Sequence, residues 1–135
     1  MAIQWSEFRK VSEVRRGGLR ASINRAGVIA LNRKAWEELG EPDAAILLYD
    51  EYNRVIGLKP AHPRLENAVP FRSKYENQKR FVIRAIALCN HLSVNITNTL
   101  IFRNPTIIDG VLVLELRDTY EFNTRRNFRE HEEEM

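Results

Sequence analysis

The segment spanning residues 20–60 constrains the fold more than any other part of the chain, because start and stop signals for several short elements follow one another there. Two short runs rich in Ile, Val and Leu flank the turn glycine Gly27, which predicts a pair of strands. Asn32 is a favourable N-cap residue, and Gly40 stands where a glycine commonly ends a helix. A short helix is therefore predicted over residues 33–39, and Pro42 prevents its continuation.

A hairpin is predicted to follow this helix. Residues 45–50 and 55–58 are apolar runs separated by the turn 51–54. Pro60 is expected to end the hairpin because proline cannot donate a hydrogen bond to a neighbouring strand.

A similar order of elements recurs in the second half of the chain. Residues 81–85 predict a strand and residues 86–92 a short helix. Residues 99–103 and 111–117 predict a hairpin around the turn signal Asp109-Gly110. The polar residues between the halves predict a connector with one short strand at 69–72. Because the two halves share little sequence, the pattern predicts a pseudo-repeat of strand, helix and hairpin.

These elements predict an α+β protein with mostly antiparallel strands and short helices. The chain length of 135 residues suits one compact domain or two very small ones. The predicted segments are a basic N-terminal arm (1–19), the first strand–helix–hairpin unit (20–60), a connector (61–79), a second unit packing with the first (80–118) and a charged tail (119–135).

Composition favours a cytoplasmic protein that does not enter a membrane. Hydrophobic residues make up 44% and charged residues 29% of the chain, as in ordinary globular proteins. Its apolar runs are too short to span a bilayer, and the N-terminus lacks the apolar core of a secretory signal. The single cysteine, Cys89, excludes an internal disulfide and suits a reducing compartment.

The positive charge is concentrated near the N-terminus. The net charge is +3 and the pI about 9.2, yet the first 34 residues carry eight basic side chains against Glu7 and Glu13. Such a bias is typical either of a surface that faces a polyanion or of a solvated arm. The candidate nucleic-acid-binding residues are Arg15, Arg16, Arg20, Arg25, Arg33 and Lys34.

No catalytic or metal-binding motif is present in the sequence. Cys89 and His91 form one loose pair where a zinc site needs closely spaced ligand pairs, so a buried thiol and a surface or helix-end histidine are expected. The sequence has no glycine-rich phosphate loop, nucleophile elbow or HExxH motif. We therefore expect a non-enzymatic protein without a cofactor or metal. Tyr49 is expected to pack within its strand rather than to stack on a base.

The central segment resembles the AbrB/SpoVT-like swapped-hairpin family. The resemblance covers about 40 residues and is carried by Ile23, Gly27, Ile29, Leu31, Leu39-Gly40, Pro42, Ile46, Leu48, Ile56, Leu58 and Pro60. The chain is also similar to small bacterial proteins with an LLYD-x5-IGLKP hairpin, which implies no activity. The family resemblance implies a small antiparallel β-barrel in which hairpins of two chains interleave, and a DNA-binding transcriptional regulator that forms a homodimer.

Two main interpretations of function follow from these patterns, and a small enzyme that uses Cys89 or a carboxylate is a third. The basic first quarter and the resemblance favour DNA binding. Family members often carry an arginine after the turn glycine, where this chain has Val28, and this difference favours a protein-interaction or structural module that keeps the barrel without binding DNA. Self-association is expected in either case, because one strand–helix–hairpin unit has too little sheet to cover its apolar face. Alternatively, the second half of the same chain covers this apolar face.

Overall fold

The computed structural model describes residues 3–6, 18–73 and 81–122, and within these ranges the chain forms two antiparallel β-sheets and two short helices. The elements are β1 (Ala21–Ile23), β2 (Val28–Leu31), α1 (Arg33–Glu38), β3 (Ala44–Asp50), β4 (Val55–Ala61), β5 (Ala68–Pro70), β6 (Arg72–Ser73), β7 (Phe81–Arg84), α2 (Ile86–His91), β8 (Leu100–Phe102), β9 (Thr106–Ile108), β10 (Val111–Glu115) and β11 (Thr119–Glu121).

Both halves of the chain contribute to each sheet. The six-stranded sheet has the order β11-β8-β1-β2-β7-β6, and the five-stranded sheet has the order β5-β3-β4-β10-β9. The halves meet where β2 pairs with β7 and where β4 pairs with β10. All strand pairs are antiparallel and the helices are short, which confirms the α+β prediction at this level.

The core lies between the two sheets and follows the two-residue alternation of the strands. In the six-stranded sheet Ile29 and Ile83 are opposite one another and fully buried, and in the five-stranded sheet Leu58 and Leu112 are the matching pair. The largest fully buried side chains are Ile23, Ile29, Leu31, Ile56, Leu58, Ile83, Leu112 and Leu114. The alternate residues of the same strands, whose side chains point away from the core, form the two outer faces of the molecule.

The helices close opposite ends of this two-sheet arrangement. On α1, the Trp36 ring stacks on Phe81 at a centroid distance of 4.0 Å, and its indole N–H donates to the Pro42 carbonyl just before β3. At the other end, Arg54 in the β3–β4 turn donates to the Leu92 carbonyl that follows α2. Each helix therefore links an end of one sheet to an end of the other.

Asn32 caps α1 as predicted, and it also fixes the chain that precedes β1. Its Oδ1 accepts hydrogen bonds from the backbone N–H groups of Ala35 at 3.0 Å and of Arg20 at 3.1 Å. Its Nδ2 donates to the Gly18 carbonyl at 2.8 Å. The end of the predicted N-terminal arm is thus bonded to the first unit, while residues 1–2 and 7–17 of the arm lie outside the described residues.

The second hairpin differs from its prediction. The Asp109-Gly110 turn joins β9 to β10, whereas β8, within the predicted 99–103 strand, pairs with β1 and β11 in the other sheet. Asn104-Pro105 interrupts the run, because proline lacks an N–H and restricts the residue before it. Asp109 and Gly110 both have positive φ, 51° and 78°, as a tight two-residue hairpin turn requires.

Three other boundaries are corrected by the structure. β4 continues through Pro60, which lies opposite Ala45; this is tolerated because β10 pairs with β4 only as far as Leu58. The connector contains β5 and β6, with residues 74–79 outside the described ranges. The predicted charged tail begins with β11, paired to β8, and residues 123–135 lie outside the described part. Within the described ranges, no helix is long and apolar enough to cross a membrane.

Candidate nucleic-acid interface

The four described residues among those predicted to bind nucleic acid do not form one cluster in the structure. Arg15 and Arg16 lie outside the described residues. Arg33 and Lys34 lie on α1, where each faces an acid one turn later: Arg33 Nε is 2.7 Å from Glu37 Oε1, and Lys34 Nζ is 4.0 Å from Glu38 Oε1. Their charges are therefore partly offset within the helix, as is usual for i,i+4 pairs.

Arg20 and Arg25 lie at opposite ends of the β1–β2 hairpin. Arg20 is next to Asn32 at the open end, and its carbonyl accepts from the Asn32 N–H at 3.1 Å. Arg25 is in the turn, where the Gly27 N–H donates to the Asn24 carbonyl. At about 3.4 Å per residue the intervening strands place roughly 10 Å or more between the two positions. Of these two arginines, Arg20 adjoins further basic residues on the sheet.

The outer face of the six-stranded sheet is found from its strand register, because residues directly opposite one another project from the same face. One row crosses all six strands and consists of Tyr120, Ile101, Ser22, Ala30, Val82 and Arg72. The neighbouring positions on these strands are the buried ones, including Ile23 and Ile83. The row therefore faces away from the core.

Four arginines lie on this outer face. Arg72 is opposite Val82, and Arg84 is opposite Val28, two residues further along β7. Continuing the β1–β8 register by two residues brings Arg20 beside Arg103. We call the group of Arg20, Arg72, Arg84, Arg103 and Tyr120 the basic face. Its side chains stand among the half-buried aliphatic residues of the same face, so the surface is cationic and partly apolar.

Few acidic groups oppose the charge of the basic face. Arg103 Nε is 3.7 Å from Asp118 Oδ1, and its guanidinium lies 4.9 Å from the centre of the Tyr120 ring. Among the described residues, no acid lies within ion-pair distance of Arg20, Arg72 or Arg84. Within the described residues, the guanidinium groups of these three arginines are therefore not neutralised by a carboxylate.

The basic face arises from the distribution of charge rather than from its total. Over residues 18–73 and 81–122, basic and acidic side chains are equal in number. The excess charge of this folded part is therefore zero, while one of its two outer sheet faces carries four arginines. A face of this kind attracts a polyanion locally even when the net charge does not.

Sequence reasoning identified Arg20 and missed the other three arginines. Arg72, Arg84 and Arg103 are scattered along the chain, each beside an apolar residue, so no charge run marks them. A partial signal exists in β7, where the alternation of Phe-Val-Ile-Arg places Val82 and Arg84 on one face. The pairing of β6, β8 and β1 around this strand is non-local and is decided by the fold.

The other chemically notable residues have structural roles. Cys89 is buried as predicted, and burial raises the pKa of its thiol above the ordinary value. His91 is exposed near the end of α2, and its Nε2 lies 3.1 Å from the Tyr49 hydroxyl oxygen. No group of three or more potential metal ligands occurs in the described part of the chain.

A cleft of about 330 Å³ lies beside the β3–β4 turn. It is lined by Arg54, Val94, Leu100, Leu116 and Arg117. Both arginines already bond the backbone: Arg54 Nη1 donates to the Leu92 carbonyl, and Arg117 Nη2 donates to the Tyr52 carbonyl. The two side chains hold the turn against the end of α2 and the β10–β11 connection.

No family model, curated protein or solved structure matches this chain.

Proposed function

We propose that the chain is a non-enzymatic, cytoplasmic DNA-binding protein of the transcription-regulator type, and that it docks the basic face against the phosphate backbone of duplex DNA. The observation that carries the proposal is the set of four arginines on one outer sheet face, three of them without an acidic partner in the described residues. Arginine suits this role because its planar guanidinium can bind a phosphate through two parallel hydrogen bonds.

The element order supports the same proposal. The first half supplies the neighbouring strands β1 and β2 to the six-stranded sheet, and the neighbouring strands β7 and β6 lie beside them, with β8 and β11 added on the far side of β1. Each half also supplies a six-residue helix and a hairpin to the five-stranded sheet. We infer that the halves are related by an approximate two-fold axis passing between β2 and β7 and between β4 and β10. One chain then contains the interleaved hairpins that the swapped-hairpin resemblance implies for two chains.

The test is an electrophoretic mobility-shift titration of generic duplex DNA at several salt concentrations. Each phosphate contact contributes about 0.9 to the slope of log affinity against log salt concentration. We expect Arg72→Ala/Arg84→Ala to reduce this slope by about 1.8, since two phosphate contacts are removed. Its melting temperature should stay close to that of the wild type because exposed charges contribute little to folding.

The matched control is Arg33→Ala/Lys34→Ala, which removes the same charge from α1, at positions that are not part of the basic face. This control should leave the slope nearly unchanged. Equal effects of the two double variants would show that DNA responds to net charge, and would refute docking through the basic face. Failure of the wild-type protein, in excess and at low salt, to shift any duplex would refute DNA binding.

The second candidate function is a protein-interaction module. It is favoured by the outer face of the five-stranded sheet, where Leu48 and Ile108 are 40% and 57% exposed. A module without nucleic-acid binding would give no mobility shift at any salt concentration, so the same titration separates the two functions.

A further inference from the structure

The outer face of the five-stranded sheet is apolar across its centre. By the strand register, Leu48 is opposite Gly57, Gly57 is opposite Val113, and Val111 is opposite Ile108. Ile46 and Val55 occupy the same face on β3 and β4. We call Ile46, Leu48, Val55, Gly57, Ile108, Val111 and Val113 the apolar face.

Because Gly57 has no side chain, nothing projects outward from its position at the centre of the apolar face. A Cβ at this position would lie 3.0 Å from Val111 Cγ1 and 3.3 Å from Leu48 Cβ, so the two neighbouring side chains close over the glycine. Together with the branched side chains on β9 and β10, they form a continuous shallow surface. A contiguous apolar surface in water is unfavourable and is typical of an interaction site.

Among the strand positions of the outer face of the five-stranded sheet, the charges at the two ends have opposite signs. Lys59 is opposite Ile46 at one end of the sheet. At the other end Val55 lies between Asp50 on β3 and Glu115 on β10. Asp50 accepts hydrogen bonds from Asn53, whose side chain amide and backbone N–H hold the pKa of Asp50 below its ordinary value. The carboxylate is thus kept ionised at this end.

This charge pattern favours one relative orientation of two copies that stack through their apolar faces. A two-fold axis lying in the contact plane, perpendicular to the strands, reverses the strand direction and superposes each lysine end on an acidic end. An axis parallel to the strands would superpose lysine on lysine and acid on acid. Since like charges across an interface disfavour association, the first arrangement is the favoured one.

We propose that a second copy of this chain docks on the apolar face, sheet against sheet, with Lys59 of each copy placed between the acidic positions 50 and 115 of the other. The stacked sheets would lie about 10 Å apart, the usual spacing for side chains packed between two sheets. The self-association expected from the sequence thereby acquires a specific surface and orientation.

This dimer does not depend on DNA binding. The apolar face and the basic face lie on opposite sides of the molecule, because each is the outer side of one of two sheets that share a core. Docking through the apolar face leaves two basic faces pointing outward. The association test therefore uses protein without nucleic acid, and its outcome is separate from that of the mobility shift.

The first experiment is sedimentation equilibrium of the full chain from about 1 to 100 μM, a range that covers micromolar association. The wild type should approach twice the chain mass of 15.8 kDa. Ile108→Glu, at a 57% exposed position, should remain folded by circular dichroism and sediment as a monomer. The control Leu65→Glu, at a 52% exposed position in the β4–β5 connection, should remain dimeric. A monomeric wild type, or a dimeric Ile108→Glu variant, would overturn the proposal.

The second experiment tests the orientation through charge reversal. Lys59→Glu should weaken association about tenfold, because a repulsive contact then occurs at both symmetry-related ends. Adding Glu115→Lys to this variant should recover at least about threefold of the loss, since an opposite-charge pair is restored. If Lys59→Glu leaves association unchanged, or if the second substitution weakens it further, the antiparallel stacking is wrong.

Discussion

The two outer sheet faces of this molecule are built on the same alternation and carry different chemistry. On the six-stranded sheet the outward positions include Arg72 and Arg84 among small aliphatic residues. On the five-stranded sheet they include Leu48, Ile108 and Val113 around Gly57. The largest fully buried side chains of both sheets, which point inward, are all Ile or Leu. The inward-facing side chains of each strand thus specify the fold, while the outward-facing side chains determine what each face can bind.

The largest expected effect separates the inner face of a strand from its outer face. Leu58→Asp places a carboxylate at a fully buried position and should cost at least about 4 kcal/mol, enough to unfold most of the population. Leu48→Asp, at a 40% exposed position ten residues earlier, should change the unfolding free energy by less than about 1 kcal/mol. Urea denaturation followed by circular dichroism measures both.

The structure places Leu48 on the apolar face, outside the core between the two sheets. Leu48→Asp is therefore expected to act on self-association rather than on folding. If both variants unfold to the same extent, the apolar face is covered within the monomer, and the comparison between inner and outer positions fails.

The next prediction compares one hairpin turn from each sheet, the β1–β2 turn and the β9–β10 turn. Gly27, in the β1–β2 turn, has φ 74°, and a Cβ there would lie 2.7 Å from the backbone Cα of Ile86. Gly27→Ala should cost about 3 kcal/mol, because left-handed strain of 1–2 kcal/mol is joined by displacement of α2. Gly110, in the β9–β10 turn, has φ 78° with nothing near a Cβ, so Gly110→Ala should cost about 1–2 kcal/mol.

Thermal unfolding of the two alanine variants, compared at the wild-type melting temperature, tests this difference. A smaller loss for Gly27→Ala than for Gly110→Ala would mean that the β1–β2 turn does not press on α2 in solution. The 2.7 Å hydrogen bond from the Ala85 N–H to the Gly27 carbonyl would then be weak or absent.

A moderate effect is expected at the cap of α1, the helix beside the basic face. Asn32→Ala removes the cap and the two bonds to the segment before β1, and should cost about 2 kcal/mol. Asn32→Asp keeps an oxygen acceptor for Ala35 and Arg20 and loses the donation to Gly18, so it should cost less than half as much. Equal losses in urea denaturation would show that the Gly18 bond, rather than the cap, dominates.

The smallest effect is the pH dependence of stability that arises from Cys89, in the core between the two sheets. Burial raises the pKa of the Cys89 thiol, so the folded state keeps its proton while the unfolded state, with a thiol pKa of about 8.5, releases it at alkaline pH. Stability from this group is complete below about pH 8.5 and declines above it, by less than about 1 kcal/mol at pH 9.

Denaturation curves of the wild type and of Cys89→Ala, recorded at several pH values from 7 to about 9.5, measure this contribution. The alanine variant should be less stable throughout and should lack the alkaline component. A parallel decline in both proteins would assign the pH dependence to other groups.

Local signals in the sequence predicted the individual elements well. The helices were expected at 33–39 and 86–92 and occur at Arg33–Glu38 and Ile86–His91. The Asn32 cap and the hairpin of β3 and β4 were also predicted. Each of these depends on residues close together in the chain, where capping, turn chemistry and alternation act directly.

The candidate sites were much less predictable. Of the arginines on the basic face, Arg20 alone was among the predicted binding residues, and Arg33 and Lys34 lie instead in ion pairs on α1. The arginines of the basic face could not be grouped from the sequence, because the strand positions that come together on one face depend on which strands become neighbours.

The sequence by itself therefore determined where both helices, the β1–β2 and β3–β4 hairpins and the Asp109-Gly110 turn form, because these follow from interactions over a few residues. Only the tertiary structure decided that β8 leaves the second hairpin to join β1, and that β4 and β10 meet at the centre of the five-stranded sheet. Such pairings bring together segments far apart in the chain, and they are selected by burial of the whole Ile and Leu core at once. The basic and apolar faces are consequences of that selection.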